Sequence, residues 1–66
     1  NKEFEMLAYF LKFPNTPLER QAILIHVWGE NYYGSDRVVD DLLRRLRQKM
    51  PDLKIETIYG FGYRML

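Results

Sequence analysis

The 66-residue chain contains no cysteine and a single histidine, His26. Without thiols there is no disulfide framework and no thiolate zinc site, and one imidazole cannot build a metal centre. The same scarcity leaves no nucleophile, base and orienting group to combine, so neither catalysis nor a cofactor is expected. Long apolar runs are missing too. Nothing approaches the roughly 18 residues of a membrane span, and the first residues lack the basic start and apolar stretch of a signal peptide. The expectation is a cytoplasmic protein with no membrane partner and no small-molecule ligand. Internal repeats and low-complexity tracts are absent as well.

What is present argues for one small globular domain over residues 1–66. A hydrophobic share of 47%, with five tyrosines, four phenylalanines and a tryptophan, is too rich for a disordered segment. The net charge of +1 hides an asymmetry. Residues 1–36 carry three bases and five acids, a net of −2, whereas residues 37–54 carry six bases and three acids, a net of +3. Basic charge gathered on one element points to an anionic partner, although ordinary solvated helices show modest excesses of the same kind.

Periodicity divides the chain into three helices and a hairpin. A first helix is predicted over about 2–13, where Phe4, Leu7, Ala8 and Leu11 fall on one face and Phe10 widens it. Pro14-Asn15-Thr16-Pro17 then opposes continuation. A second helix is expected over about 19–28, with Ile23, Leu24, Val27 and Trp28 on one side and Gly29 as its stop. Glu30-Asn31-Tyr32-Tyr33-Gly34 reads as a loop, and Ser35 or Asp36 can cap a third helix over about 36–50, which Pro51 ends. Residues 54–66 are rich in β-branched and aromatic side chains around Gly60-Phe61-Gly62, the pattern of a β-hairpin whose glycines serve as turn residues with positive φ. Ile55 and Ile58 differ in parity, which a strand buried on one face does not accommodate.

The third helix carries the functional signal. At about 100° per residue, Val39, Leu43, Leu46 and Met50 cluster within about 60° as a core stripe. The opposite side gathers Arg37, Asp41, Arg44 and Gln48, with Arg45 at its edge beside Val38 and Lys49. A long basic face able to donate hydrogen bonds suits the major groove of B-DNA, where arginine reads guanine O6 and N7 in a bidentate pair. The alternative is a solvated face laced by Asp40–Arg44 and Asp41–Arg45 ion pairs. Element order favours the groove: helix, turn, helix, loop, basic helix and Gly-rich hairpin is the succession of a winged helix-turn-helix domain, mainly α with a C-terminal wing.

Lys-Glu-Phe-Glu-Met-Leu at 2–7, Val-Trp-Gly at 27–29, Arg37-Val38-Val39-Asp40, Leu43-Arg44-Arg45-Leu46-Arg47 and Thr57-Ile58-Tyr59-Gly60-Phe61-Gly62-Tyr63-Arg64 together resemble the effector domain of OmpR/PhoB-type response regulators. Five segments in register over the whole chain make the resemblance specific. It implies a transcription regulator of a bacterial two-component system, whose phosphorylated receiver domain promotes tandem dimers on direct repeats of double-stranded DNA. Family members begin this domain with a small antiparallel sheet. Neither that sheet nor the receiver is in this chain, which has the look of a fragment.

By the same resemblance Arg45 is the base-reading arginine, Arg37, Arg44 and Arg47 hold phosphates, and Thr57 contacts the backbone at the foot of the wing formed by Tyr59, Gly60 and Phe61, while Gln48, on the exposed face of the third helix, is a further candidate for a backbone contact. Four positions depart from the family pattern. Val38 replaces a threonine and Leu42 a histidine, both common phosphate contacts. Asp41 stands where an apolar residue usually meets thymine methyls, and Tyr59 where many members place a minor-groove arginine. Asp41 is therefore a second candidate for base contact, through cytosine N4. The two tyrosines of the 29–35 loop read first as folding back on the core, and by the resemblance the loop, with Glu30, Asn31, Tyr32 and Tyr33, corresponds to a segment that can touch RNA polymerase. His26 and Trp28 read as structural, and Asp40 as a residue that pins a neighbouring arginine. A winged helix serving protein interaction, with weak or no DNA binding, is the competing function, because fold does not dictate partner.

Overall fold

The computed structural model describes residues 1–66 in full. Helix α1 spans Lys2–Lys12 and is capped by Asn1, whose side-chain oxygen accepts the Phe4 N–H at 3.1 Å. Glu3 and Glu5 lie in its first turn and Lys12 in its last, each sign at the end of the helix dipole that stabilises it. Met6 and Phe10 are the α1 residues fully buried by the rest of the chain. This differs from the expected face, since Phe4 and Leu11 remain 71% and 60% exposed and Ala8 is also exposed. The helix is apolar on more than one side, and spacing alone does not say which side the other helices meet.

After α1 the chain turns through Pro14–Pro17, where Asn15 takes φ 58 and its N–H reaches the Met65 carbonyl at 2.7 Å. A strand absent from the sequence expectation follows. β1 is only Leu18–Glu19, too short to display a period. Helix α2, Arg20–Trp28, then buries Ile23, Leu24 and Val27 and stops at Gly29, which adopts φ 97. Helix α3, Arg37–Lys49, starts where Ser35 Oγ accepts the Arg37 N–H at 3.1 Å. Ser35 thus provides the capping oxygen, and Asp36 is free for another role.

Within α3, Val39, Leu43 and Leu46 are buried as expected, joined by Leu42. Met50 is not part of that stripe. It leaves helical geometry one residue before Pro51 and is 42% exposed. The three helices pack pairwise around Phe10, Met6, Ile23, Leu43 and Val39, the largest fully buried side chains. Truncating any of the larger ones to alanine should cost about 2–5 kcal/mol, from lost transfer energy plus the cavity left behind.

Strands β2, Ile55–Ile58, and β3, Gly62–Met65, form the hairpin, and β1 adds to its open edge to give an antiparallel sheet in the order β1-β3-β2. Ile55 pairs with Met65 and Ile58 with Gly62. The parity problem resolves because both faces are partly covered: Ile55 joins the core while Ile58, on the other face with Glu56, is half-buried. Glu56 faces Arg64 across the strands, and their side chains form an ion pair. The two glycines of the hairpin act differently. Gly60 has φ 78, as a turn residue should. Gly62 does not need positive φ. A Cβ there would lie 2.0 Å from the Leu18 carbonyl oxygen, so its bare Cα is what lets β1 approach β3.

Candidate nucleic-acid interface

The outward side of α3 is as the helical wheel places it. Arg37, Asp41, Arg44, Arg45 and Gln48 are all exposed on the face opposite Val39, Leu43 and Leu46. The ion pairs are not the i,i+4 ones. Arg44 approaches Asp41 at 3.6 Å, with the two side chains 70% and 56% exposed, and Asp40 makes its ion pair with Arg20 instead of Arg44. A pair this open to water is worth no more than about 0.5 kcal/mol, so an incoming anion could displace Asp41 from Arg44 at little cost. Arg37 and Arg45 make no salt bridge within the chain, which leaves their guanidinium donors available to a ligand.

Arg47 is less open than the other arginines of α3. Three residues along from Arg44, it lies at the border of the buried stripe and is half-buried. Its guanidinium donates to the Ile55 carbonyl and sits 5.7 Å from the centroid of the Tyr63 ring. These contacts hold α3 against the hairpin while using one of the five guanidinium donors. A second tie lies one turn into the helix, where the Tyr63 hydroxyl donates to Asp40. Arg20, at the start of α2, stands 3.4 Å from Asp40 and 3.7 Å from Asp36. Asp40 therefore does pin an arginine, but one from α2 instead of its own helix. Burial, reinforced by the hydrogen bond to the Asp40 carboxylate and its negative charge, pushes the Tyr63 phenol up to about 12.

At the hairpin tip Tyr59 is 92% exposed and Phe61 43% exposed, with Gly60 between them. Thr57 is exposed on β2 opposite Tyr63. The Arg20 N–H donates to the Phe61 carbonyl at 3.1 Å, so the tip is also anchored to the first residue of α2. In the 29–35 loop the two tyrosines part company. Tyr32 packs 6.2 Å from the Trp28 ring and folds over Gly34, where a Cβ would lie 2.1 Å from its hydroxyl. Tyr33 is 95% exposed, and Glu30 and Asn31 are exposed with it. His26 stacks on Tyr9 with ring centroids 4.0 Å apart, which accounts for it structurally.

A groove of about 470 Å³ runs between the start of α1 and α3, and both Arg45 and Asp41 line it. Its other walls bring in Lys2, Lys49 and Trp28, and Lys49 reaches Glu3 at 2.6 Å. Sequence reasoning placed Lys49 beside Arg45 on the wheel but gave it no role, and it had no signal for Lys2, whose position depends on how α1 packs against α3. No group of three or more His, Asp or Glu side chains is arranged to hold a metal ion, and no helix is long and apolar enough to cross a membrane.

The family model described as transcriptional regulatory protein, C terminal, matches residues 1–65. The chain is 61% identical over 66 residues to the transcriptional regulatory protein CssR of Bacillus subtilis, covering all of this chain and 29% of that protein. To the phosphate regulon transcriptional regulatory protein PhoB of Escherichia coli it is 41% identical over 66 residues, covering 94% of this chain and again 29% of the relative. Less than a third of each of these regulators is therefore represented. The crystal structure of the DNA-binding domain of Bacillus subtilis CssR superposes with a TM-score of 0.96, covering 100% of this chain and 75% of that one. The DNA-binding domain of Klebsiella pneumoniae RstA, solved in complex with the RstA box, gives a TM-score of 0.86 at 31% identity, covering 98% of this chain and 69% of that one.

Proposed function

The chain belongs to the family of transcriptional regulatory protein C-terminal domains, of the OmpR/PhoB type, and from that premise we propose that it binds double-stranded DNA sequence-specifically through the outward face of α3. The observation that carries this function is the exposed row Arg37, Arg44, Arg45 and Gln48, in which Arg37 and Arg45 have no acidic partner in the chain. In the major groove Arg45 pairs with guanine O6 and N7, and Asp41 accepts from cytosine N4. Arg37, Arg44, Gln48 and Thr57 hold phosphates, fixing register without reading sequence. Arg47 joins them through the donors that its hydrogen bond to the Ile55 carbonyl leaves over.

The hairpin acts as the wing, with Tyr59, Gly60 and Phe61 as its tip. Tyr59 has no charge to place in a narrow minor groove, so shape readout there is weak. Tyr33, Glu30 and Asn31 form the exposed part of a loop that contacts RNA polymerase, while Tyr32 supports it from the core side. In the whole protein a receiver domain of a two-component system brings copies together on direct repeats, in the cytoplasm. The domain performs no chemistry of its own.

Salt titration of the intact protein on duplex DNA tests this function. Binding through phosphates releases counterions, so log affinity should fall linearly with log salt, by roughly 0.9 per neutralised phosphate. Binding insensitive to salt, or no binding to duplexes at all, would favour the protein-interaction role.

A further inference from the structure

The groove beside α3 has a charge pattern that the reading face alone does not use. We propose that it seats the phosphate backbone of the strand bordering the bases read by Arg45, with Lys2 and Lys49 as the cationic contacts, a role that rests on the DNA-binding function proposed above. Arg45 belongs to both surfaces, so DNA engaged by the outward face of α3 is already at the groove's edge. The floor is formed in part by Val38 and Leu42, which are half-buried and buried and offer no hydrogen-bond donor. Any cation reaching a phosphate there must come from the walls.

The walls supply two. Lys2, on the first turn of α1, is exposed and makes no ion pair, and its ammonium lies 5.7 Å from the centroid of the Trp28 ring. That contact keeps the charge along the groove wall. Lys49, in the last turn of α3, spends one donor on Glu3 at 2.6 Å, yet its side chain is 65% exposed while that of Glu3 is only 17% exposed. An ammonium has three donors, so two remain directed at water. The two acids of the groove are thus both engaged: Glu3 by Lys49, and Asp41 by Arg44 from outside the groove. Lys2 and Arg45 stand without counter-charges, and the groove attracts anions.

The test is the salt dependence of binding by the intact protein to a duplex carrying its preferred site, measured by fluorescence anisotropy for the wild type, Lys2→Ala, Lys49→Ala, Lys49→Arg and Lys12→Ala, with thermal unfolding alongside. Each of Lys2→Ala and Lys49→Ala should lower the magnitude of the slope of log affinity against log salt by roughly 0.9, the share of one phosphate. Both should weaken preferred and unrelated duplexes alike. Lys49→Arg should keep the wild-type slope, and so should Lys12→Ala, at the far end of α1. Lys2→Ala removes no hydrogen bond or ion pair, so its result stands even if Lys49→Ala loses stability. Wild-type slopes in both alanine variants overturn the groove assignment while leaving the reading helix in place. A wild type that binds no duplex overturns the underlying function and the groove with it.

Discussion

The Tyr63 hydroxyl donates to the Asp40 carboxylate, joining the middle strand of the sheet to the first turns of the exposed helix. Asp40 is also the residue that Arg20 approaches from α2. One carboxylate therefore relates all three elements that would have to keep a common geometry on DNA. Tyr63 is only 6% exposed, and its pKa is raised from 10.0 to about 12 by burial and by Asp40.

A phenol whose folded-state pKa exceeds its unfolded value stabilises the fold fully below the unfolded pKa, and that contribution is lost as pH rises through the folded one. Urea unfolding should accordingly show stability falling between about pH 10 and about pH 12, by on the order of 2–3 kcal/mol. Tyr63→Phe should abolish that loss. At neutral pH it should cost about 1.5–3 kcal/mol, the worth of a buried hydrogen bond to a charged group. A Tyr63→Phe variant with the wild-type alkaline slope would show that another group is responsible.

The hairpin glycines should respond to alanine in different degrees. At Gly60 there is open space but φ is 78, so Gly60→Ala should cost about 1–2 kcal/mol, and Gly60→Asn less. At Gly62 the new Cβ would lie 2.0 Å from the Leu18 carbonyl, backbone that cannot swing aside. Gly62→Ala should therefore cost more than Gly60→Ala, about 3 kcal/mol or above, with β1 detached from β3. Equal unfolding midpoints for the two variants would contradict the close approach.

These particulars show what sequence could convey. Gly29, Ser35 and Pro51 are local signals for the ends of α2 and α3, and the α3 wheel set Arg37, Arg44 and Arg45 outward and Val39, Leu43 and Leu46 inward, while it missed buried Leu42 and half-buried Arg47 and counted exposed Met50 as core. β1 was not legible, because a two-residue strand has no period and exists only through Gly62. Nor was the side of α1 that is buried, since Met6 and Phe10 compete with an equally apolar Phe4 and Leu11. Arg47 and Arg44 look alike in a basic run. Only the position of Ile55, set by the fold of the hairpin, turns one of them inward.

Asp41 pairs with Arg44 and not with Arg45. Asp41→Val should therefore free Arg44 for a phosphate, remove a carboxylate that repels the backbone, and present a methyl-bearing surface to thymine. Affinity for unrelated duplexes should rise, and selected sites should shift from cytosine toward thymine at one position. Unchanged affinity and preference would leave Asp41 a solvated charge.

Tyr59, 92% exposed at the wing tip, is the place to restore a minor-groove cation. Tyr59→Arg should steepen the salt slope by roughly 0.9 and strengthen binding to operators flanked by an A-tract, whose narrow minor groove concentrates negative potential. If neither matched operator gains, the wing does not approach DNA.

The central claim is that α3 reads bases through Arg45, and selection of bound duplexes from a random pool by the intact protein tests it most directly. Arg45→Ala should cost about 1–3 kcal/mol on the best wild-type site and relax the preference at one guanine. Arg44→Ala should weaken binding to all sequences while preserving the motif. A selected motif that is identical for the wild type and Arg45→Ala would contradict the claim.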